Sequence, residues 1–272
     1  MLNGFGWSSR RAGKHMARLA LITGGAQGLG AAMAQRLHAD GWAVWIADLQ
    51  GQSAEECARA LAAGGGAPVQ ASAVDVTLDA SVRALMDEVS ERFGRLDLLV
   101  NCAGTIARTP AEEIESAAWA RLMDVHLGGA MRCCREAFPL LLAGSWPSVV
   151  NLGSVGTFLG MPLRLAYSTA KSGIAGFTRT LASEWGPRGI RVNAITPGYI
   201  DTALMRSGFD LGVLDEEEIT QRTPLRRLGV AEDIAGVTAF LASPDAAFIT
   251  GAVIPVDGGV TISGDFRPRG AR

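Results

Sequence analysis

R-L-A-L-I-T-G-G-A-Q-G-L-G, residues Arg18–Gly30, passes from an apolar run through glycines into a helical pattern. Arg18–Thr23 is short and apolar and predicts a buried strand. Beyond the turn, Met33 and Leu37 fall on one helix face. Strand, glycine-rich turn and helix in succession are the setting in which such a pattern carries meaning. Gly24, Gly28 and Gly30 let the backbone turn tightly and approach a pyrophosphate, while the helix start offers free N–H groups and a positive dipole end. The spacing, G-x-x-x-G-x-G, departs from the fingerprint usually written for dinucleotide sites. An ordinary glycine turn of an α/β fold is the alternative reading.

The following strand, Ala43–Asp48 (A-V-W-I-A-D), ends in an acid 18 residues beyond Gly30. A carboxylate there hydrogen-bonds the two ribose hydroxyls of NAD and repels a 2′-phosphate. No basic residue stands at Leu49 or Gln50, or at Ala26 or Gln27 in the turn, to receive that phosphate. The pattern favours NAD over NADP.

Further along, strands are expected at Val69–Val74, Leu96–Val100, Ser148–Leu152, Arg191–Thr196 and Ala252–Val256. Helices are expected at Ser53–Ala63, Leu78–Phe93, Trp119–Leu142, from the Tyr167/Lys171 segment to Trp185, and at Glu232–Ser243. Strands alternating with helices predict an α/β protein with a parallel sheet covered on both faces. Asp75 ends the third strand. N-C-A-G, Asn101–Gly104, ends the fourth, and its small residues leave room for a ligand at the carboxyl edge of the sheet. Residues 203–228 read as an irregular segment closing over a site, with the acidic run Asp215–Glu218 on a solvated surface. Residues 1–17 read as a flexible lead-in, 18–260 as one domain and 261–272 as a tail.

The chemistry lies in S-V-G-T-F-L-G-M-P-L-R-L-A-Y-S-T-A-K, Ser154–Lys171. Tyr167 and Lys171 are four apart and share a helix face. A phenol normally ionises near pH ~10, and a nearby ammonium lowers that value. Such a tyrosine exchanges protons with an alcohol or ketone, and Ser154 would hydrogen-bond the reacting oxygen. Of the chain's 25 basic residues only Lys14 and Lys171 are lysines, so a compact, tunable cation has been placed beside one of only two tyrosines. A chance pair on a solvated helix is the bland reading. His126, alone on an apolar helix, reads first as a hydrogen-bonded core residue.

At 272 residues, 48% hydrophobic and 19% charged, the chain suits one large domain with a sizeable core. A net charge of −2 gives no reason to expect nucleic acid or an anionic membrane as partner. No apolar run approaches the ~20 residues of a membrane span. Cys57, Cys102, Cys133 and Cys134 have no zinc-like spacing and read as reduced core thiols of a cytoplasmic protein. Three histidines do not supply a histidine-rich metal site, and no metal is expected.

Taken in order, these residues resemble the short-chain dehydrogenase/reductase family over about residues 18–260. The markers are T-G-G-A-Q-G-L-G, Asp75, N-C-A-G, Ser154, Y-S-T-A-K, Asn193, P-G-Y-I-D-T (Pro197–Thr202) and T-G-A-V-I-P-V-D-G-G (Thr250–Gly259). The resemblance implies a Rossmann-type, doubly wound, seven-stranded parallel sheet in a single domain, usually in a homotetramer, with a homodimer as the other possibility. It implies Tyr167 as catalytic acid/base and Ser154 as holder of the substrate oxygen. Lys171 would bind the nicotinamide ribose and lower the tyrosine pKa. It further implies Thr23, Gly24, Gln27, Gly28, Leu29 and Gly30 at the pyrophosphate, Asp48 and Leu49 at the adenine ribose, and Asp75 and Val76 near the adenine. Asn101, Ala103 and Gly104 would flank the cofactor, and Pro197, Gly198, Ile200 and Thr202 would meet its nicotinamide end. The family usually has N-N-A-G where N-C-A-G stands, and V-N-L where V-H-L (Val125–Leu127) stands. That asparagine holds a water in a proton relay through the lysine, and His126 takes its place here with the capacity to donate and accept hydrogen bonds.

The expected activity is hydride transfer between NAD(H) and a secondary alcohol or ketone. The residues expected to line the substrate pocket are Ile106, Val155, Phe158, Met161, Tyr199, Leu204, Met205 and Phe209. They are mainly apolar and suit a cyclic or hydrophobic small molecule. Arg108 or Arg164 could steer an acidic substrate, although such arginines are ordinarily solvated. The rivals are an NADPH-dependent 3-oxoacyl-thioester reductase and a catalytically idle NAD-binding sensor or scaffold.

Overall fold

The computed structural model describes residues 17–263. Apart from position 17 and positions 261–263, the expected lead-in and tail lie outside the described residues. Seven strands form one sheet: β1 (Leu19–Thr23), β2 (Ala43–Asp48), β3 (Val69–Ala73), β4 (Leu98–Asn101), β5 (Ser148–Leu152), β6 (Arg191–Pro197) and β7 (Val253–Val256). All neighbours run parallel, in the order β3-β2-β1-β4-β5-β6-β7. After β3 the chain returns to the other side of β1, so β1 and β4 form a switch point whose carboxyl side opens a crevice. Register levels the strand ends there: Thr23 lies opposite Asn101, and Asn101 opposite Asn151.

The central strands are apolar without alternation because both faces are covered. Along β1 the period of two divides the core. Leu19 and Leu21 pack with α3 (Asp79–Phe93) and the later Cys133–Leu141 segment, whereas Ala20 and Ile22 pack with α1 (Gly28–Ala39), α2 (Gly51–Ala62) and the later Ile234–Ala242 segment. The edges are less buried, with β3 and β7 half-covered.

Two regions depart from the expected pattern. The Trp119–Leu142 helix is divided into α4 (Ser116–Met123), a π-turn over Asp124–Gly128, and α5 (Gly129–Leu142). The widened turn carries His126. It occurs where close approach leaves no room for side chains, since a Cβ on Gly129 would stand 2.7 Å from Val76 Cγ2 and one on Gly128 would stand 2.2 Å from Asp124 Oδ1. A single extra residue in a turn leaves little trace in a hydrophobic period read over two dozen residues. After α6 (Leu165–Trp185), residues 203–228 are not irregular: they hold α7 (Ala203–Asp210) and α8 (Glu216–Arg222). Thr202 Oγ1 accepts from Met205 N and Asp215 Oδ1 from Glu218 N, so each short helix has its own side-chain cap. The acidic run occupies the first turn of α8, where the helix dipole favours negative charge. The last α-helix among the described residues is α9 (Ala231–Ala242).

One buried carboxylate ties three segments together at the opposite edge of the sheet. Asp97, fully buried, accepts from Leu19 N at 2.7 Å, from Ser145 N, and from Arg95 Nε at 3.3 Å. Replacing it leaves buried amides without an acceptor. Asp97→Ala is expected to lower stability by about 2–4 kcal/mol in denaturant unfolding, with the fold retained. A loss under about 0.5 kcal/mol would place those amides in water instead.

Candidate active site

The carboxyl ends of β1, β4, β5 and β6 open into a cavity of about 630 Å³. At its floor the chain turns on Gly24, whose φ of +65° belongs to the left-handed region. A Cβ there would lie 2.8 Å from Ala103 Cα, and one on Gly30 would lie 2.1 Å from the Gly24 carbonyl oxygen. Around Gly28 a Cβ would meet nothing within 4 Å, so the cleft comes directly to the backbone. Helix α1 starts at this point with no side chain capping it and no acid in its first turn. Its N-terminal amides and dipole therefore face the cleft, the arrangement that holds an anion. Thr23 Oγ1, buried beneath, accepts from Cys102 N at 3.2 Å and Ala103 N at 3.3 Å, which fixes the β4 exit against the turn.

Asp48 lines the cavity at the end of β2, where Oδ2 accepts from Ala26 N at 3.1 Å and Oδ1 from Gln50 N at 3.0 Å. A carboxylate has about four acceptor positions, so two lone pairs stay free for hydroxyls. Leu49 is exposed beside it. Asp75 and Val76 line the same end. Asp75 Oδ1 takes both the N–H and the hydroxyl of Thr77, at 2.9 and 2.6 Å, and these bonds hold its carboxyl below the usual range.

At the other end stand Ser154, Tyr167 and Lys171. Ser154 follows β5 and caps the short turn Val155–Thr157, its Oγ accepting from Gly156 N at 3.2 Å. Thr157 Oγ1 donates to the Lys171 carbonyl at 2.9 Å, binding this turn to α6. Tyr167 and Lys171 share one face of α6, and the ammonium lies 5.8 Å from the phenol ring centre. Lys171 Nζ donates to Leu152 O at 2.7 Å, and burial pushes the ammonium down to about 8. Burial raises Tyr167 above its ordinary value, opposed by a hydrogen bond with Ser154 and by the Arg164 guanidinium. The lowering expected from Lys171 is not found: burial leaves the phenol above its ordinary value, and the influences that oppose it are Ser154 and Arg164.

His126 meets this group from the π-turn. Its ring stands edge-on to Tyr167, with centres 5.6 Å apart. Nε2 lies 2.8 Å from Thr105 O and 3.4 Å from Thr105 N; donating at the shorter contact makes Nδ1 the acceptor, and Nδ1 has no partner among the described residues. Gly104 is required beside it, since a Cβ there would lie 2.5 Å from Cε1. Burial, and then the Lys171 charge, push His126 down to about 3 against the Thr105 bond, so it is neutral throughout the working pH range. Beneath lies a second cavity of about 10 Å³, room for one water, lined by Thr23, Asn101, His126 and Lys171 among others. Asn101 donates to Asn151 Oδ1 at 2.8 Å while its own Oδ1 has no partner among the described residues.

Most of the expected residues line the large cavity, including Gln27, Leu29, Ala103, Ile106, Val155, Met161, Pro197, Gly198, Tyr199, Ile200, Thr202, Leu204 and Met205. Four do not. Thr23 and Asn101 lie behind it at the small cavity. Phe158 is half-exposed at the end of the turn that Ser154 caps, outside the lining. Phe209 turns its ring to the Arg206 guanidinium, 5.7 Å away, because α7 presents Leu204 and Met205 to the cleft. Leu214 from the α7–α8 connection and Thr105 line the cavity unforeseen, since loop residues carry no periodic signal.

Among the described residues no helix is long and apolar enough to cross a membrane, and no three His, Cys, Asp or Glu side chains are placed to hold a metal. Residues 24–261 match the family model described as enoyl-(acyl carrier protein) reductase. A cis-4-hydroxycyclohexanecarboxylate dehydrogenase of Sinomonas cyclohexanicum is 40% identical over 245 residues, covering 90% of this chain and 96% of that relative. A 3-oxoacyl-[acyl-carrier-protein] reductase of Pseudomonas aeruginosa is 36% identical, covering 90% and 98%. A crystal structure of a gluconate 5-dehydrogenase from Burkholderia cenocepacia, in complex with NADP and tartrate, superposes with a TM-score of 0.85 at 33% identity, covering 90% and 96%.

His126 binds its proton near pH 3 when folded and near 6.5 when unfolded, so between these values the unfolded chain holds the extra proton and acid favours unfolding. Melting temperatures measured from pH 7 to pH 4 are expected to fall less steeply for His126→Asn than for the natural chain. Parallel slopes would mean that the ring is not held neutral.

Proposed function

The chain belongs to the short-chain dehydrogenase/reductase family, and we propose that it transfers hydride between NAD(H) and a cyclic or hydrophobic secondary alcohol or ketone, with Tyr167 as proton carrier. The observation that carries this reading is the meeting of Ser154, Tyr167 and Lys171 at one end of a cleft whose other end is an uncapped helix start on a glycine cradle. That cradle fits a dinucleotide, because its pyrophosphate requires a backbone that no Cβ obstructs and free N–H groups. When bound, the nicotinamide supplies the hydride acceptor or donor. Thr23, Gly24, Gln27, Gly28, Leu29 and Gly30 would hold the pyrophosphate. Asp48 and Leu49 would take the adenine ribose, Asp75 and Val76 the adenine, and Asn101, Ala103, Gly104, Pro197, Gly198, Ile200 and Thr202 the remainder.

In the oxidation direction Tyr167 releases its own phenol proton toward Lys171 and takes the hydroxyl proton in its place, while Ser154 holds the substrate oxygen in line. Lys171 would hold the nicotinamide ribose, and it stands beside the small cavity through which protons would pass inward. His126 Nδ1 and Asn101 Oδ1 offer acceptors for one water in the small cavity next to Lys171, so a neutral histidine does the positioning work.

For the cofactor, NAD is the reading that Asp48 supports, since its free lone pairs suit ribose hydroxyls and its charge opposes a 2′-phosphate. The gluconate dehydrogenase crystallised with NADP makes the comparison worth measuring. Residues 18–260 form the catalytic domain, with 203–228 as its lid and 1–17 and 261–272 as flanking segments. Free thiols at Cys57, Cys102, Cys133 and Cys134 support a cytoplasmic setting. Exposed Phe240, Phe248 and Ile262 around the edge strand β7 support assembly as a homotetramer or homodimer.

Dissociation constants separate the thioester-reductase alternative. NAD is expected to bind at least about tenfold more tightly than NADP, a gap of ~1.4 kcal/mol, and Asp48→Ala is expected to close it. Tighter NADP binding would favour the thioester reductase. Turnover over a panel of cyclic, steroid, polyol and hydroxy-acid alcohols tests the activity. Tyr167→Phe is expected to lower kcat by about 10²–10⁴ with cofactor affinity retained. An equally active variant would remove Tyr167 from the chemistry, and cofactor binding without turnover on any alcohol would favour the idle sensor.

A further inference from the structure

Arg108 and Arg164 both line the large cavity, at the end that holds Ser154 and Tyr167. Neither is a solvated surface arginine. Each is half-buried, and the Nε of each is buried without a hydrogen-bond partner among the described residues. Arg36, Arg132, Arg206 and Arg227, by contrast, each face a carboxylate. The only acids among the cavity's lining residues are Asp48 and Asp75, at the adenine end. The reacting end thus carries two forked cations with no carboxylate built in, only the phenols of Tyr167 and Tyr199, which when ionised favour the Arg164 cation.

Their placement is constructed. Thr109 N donates to Leu163 O at 2.8 Å, and Thr109 pairs with Arg164 in an isolated bridge, so the two loops are pinned at the residues next to the pair. Leu163 adopts φ +64°, a left-handed conformation that costs a leucine energy and sets the direction of Arg164. The lid helix lies against the other partner: a Cβ on Gly208 would stand 3.1 Å from Arg108 Nη2. The two cations also sense each other, since after burial the Arg108 charge is the next influence weakening proton binding at Arg164. An uncharged occupant would leave both guanidiniums desolvated and unpaired, which is costly. A planar anion receiving parallel N–H bonds from both relieves the burial and the repulsion together. The cofactor's phosphates belong at the glycine cradle, so this anion comes from the substrate.

We propose that Arg108 and Arg164 form a carboxylate subsite and that the substrate is a hydroxy-carboxylate, with its carbinol at Tyr167 and its acid group on the two guanidiniums. The skeleton between them is compact and apolar, to suit the wall made by Ile106, Met161, Leu204 and Leu214. This assignment rests on the hydride-transfer reading of the same cleft.

The test compares kcat/KM for 4-hydroxycyclohexanecarboxylate with that for its methyl ester. The natural chain is expected to prefer the acid by about 10²-fold, and Arg108→Met and Arg164→Met are each expected to reduce that preference by about 10-fold or more. Arg164→Lys is expected to restore part of it, having charge without the fork. An acid-to-ester ratio unchanged in both Met variants would overturn the subsite. A second arm needs no turnover: calorimetric titration of cyclohexanecarboxylate, and separately of inorganic phosphate, into the NAD-loaded protein. Carboxylate binding lost in both Met variants supports the subsite, even where no alcohol is oxidised and the hydride-transfer reading itself has failed. Absent binding, binding indifferent to both arginines, or arginine-dependent binding of phosphate in preference to carboxylate would each overturn it. Circular dichroism confirms that the variants fold, and Arg108→Lys with Arg164→Lys serves where a Met variant does not.

Discussion

Gly24 lies so close to the backbone of Ala103, and Gly30 so close to the Gly24 carbonyl, that neither position accommodates a methyl group. This backbone-on-backbone contact is the constraint on which the rest of the site depends. It lets α1 begin at the very edge of the sheet, uncapped, with its amides turned to the crevice between β1 and β4. It also brings Thr23 within reach of the β4 exit, so the strand that carries Asn101, Ala103 and Gly104 is held in line with the turn. A parallel sheet then does what its topology dictates: every strand delivers its following loop to the same edge, and the residues on those loops converge.

The reacting end is governed by desolvation. A buried ammonium donates to the Leu152 carbonyl, a buried histidine ring meets the Thr105 carbonyl, and a partly buried phenol meets a serine hydroxyl. In such surroundings burial is the largest influence on Lys171, His126 and Tyr167 alike, and it favours the neutral form of each. Lys171 and His126, both with reduced charge preference, line the cavity the size of one water, and the Tyr167 ring stands beside both. The cost of leaving Arg108 and Arg164 unpaired in the same cleft belongs to this physics, and a charged substrate offsets it.

Much of this was legible in the sequence because it rests on local rules. Strand, glycine turn and helix follow from period and composition. Asp48 follows from its place at the end of the second strand, and Tyr167 with Lys171 from spacing on one helix face. What escaped depends on contacts between distant segments. The π-turn under His126 arises from the approach of Gly129 to Val76, 53 residues away in the chain. Phe158 and Phe209 looked suited to an apolar pocket, but the direction of a side chain on a short helix is set by its packing partners. The two helices between residues 203 and 228 are only two turns long, and each is marked by a side-chain cap, at Thr202 and Asp215. The pairing of Arg108 with Arg164 depends on the bridge that joins their loops, which no sequence spacing encodes.

Hydride transfer requires that hydrogen leave the carbinol carbon of the substrate for the nicotinamide ring. The direct measurement is mass spectrometry of the reduced dinucleotide after turnover of an alcohol deuterated at that carbon. The deuterium is expected in the reduced cofactor, one label for each alcohol oxidised. Oxidised alcohol accompanied by unlabelled cofactor, with the deuterium released to solvent, would contradict it.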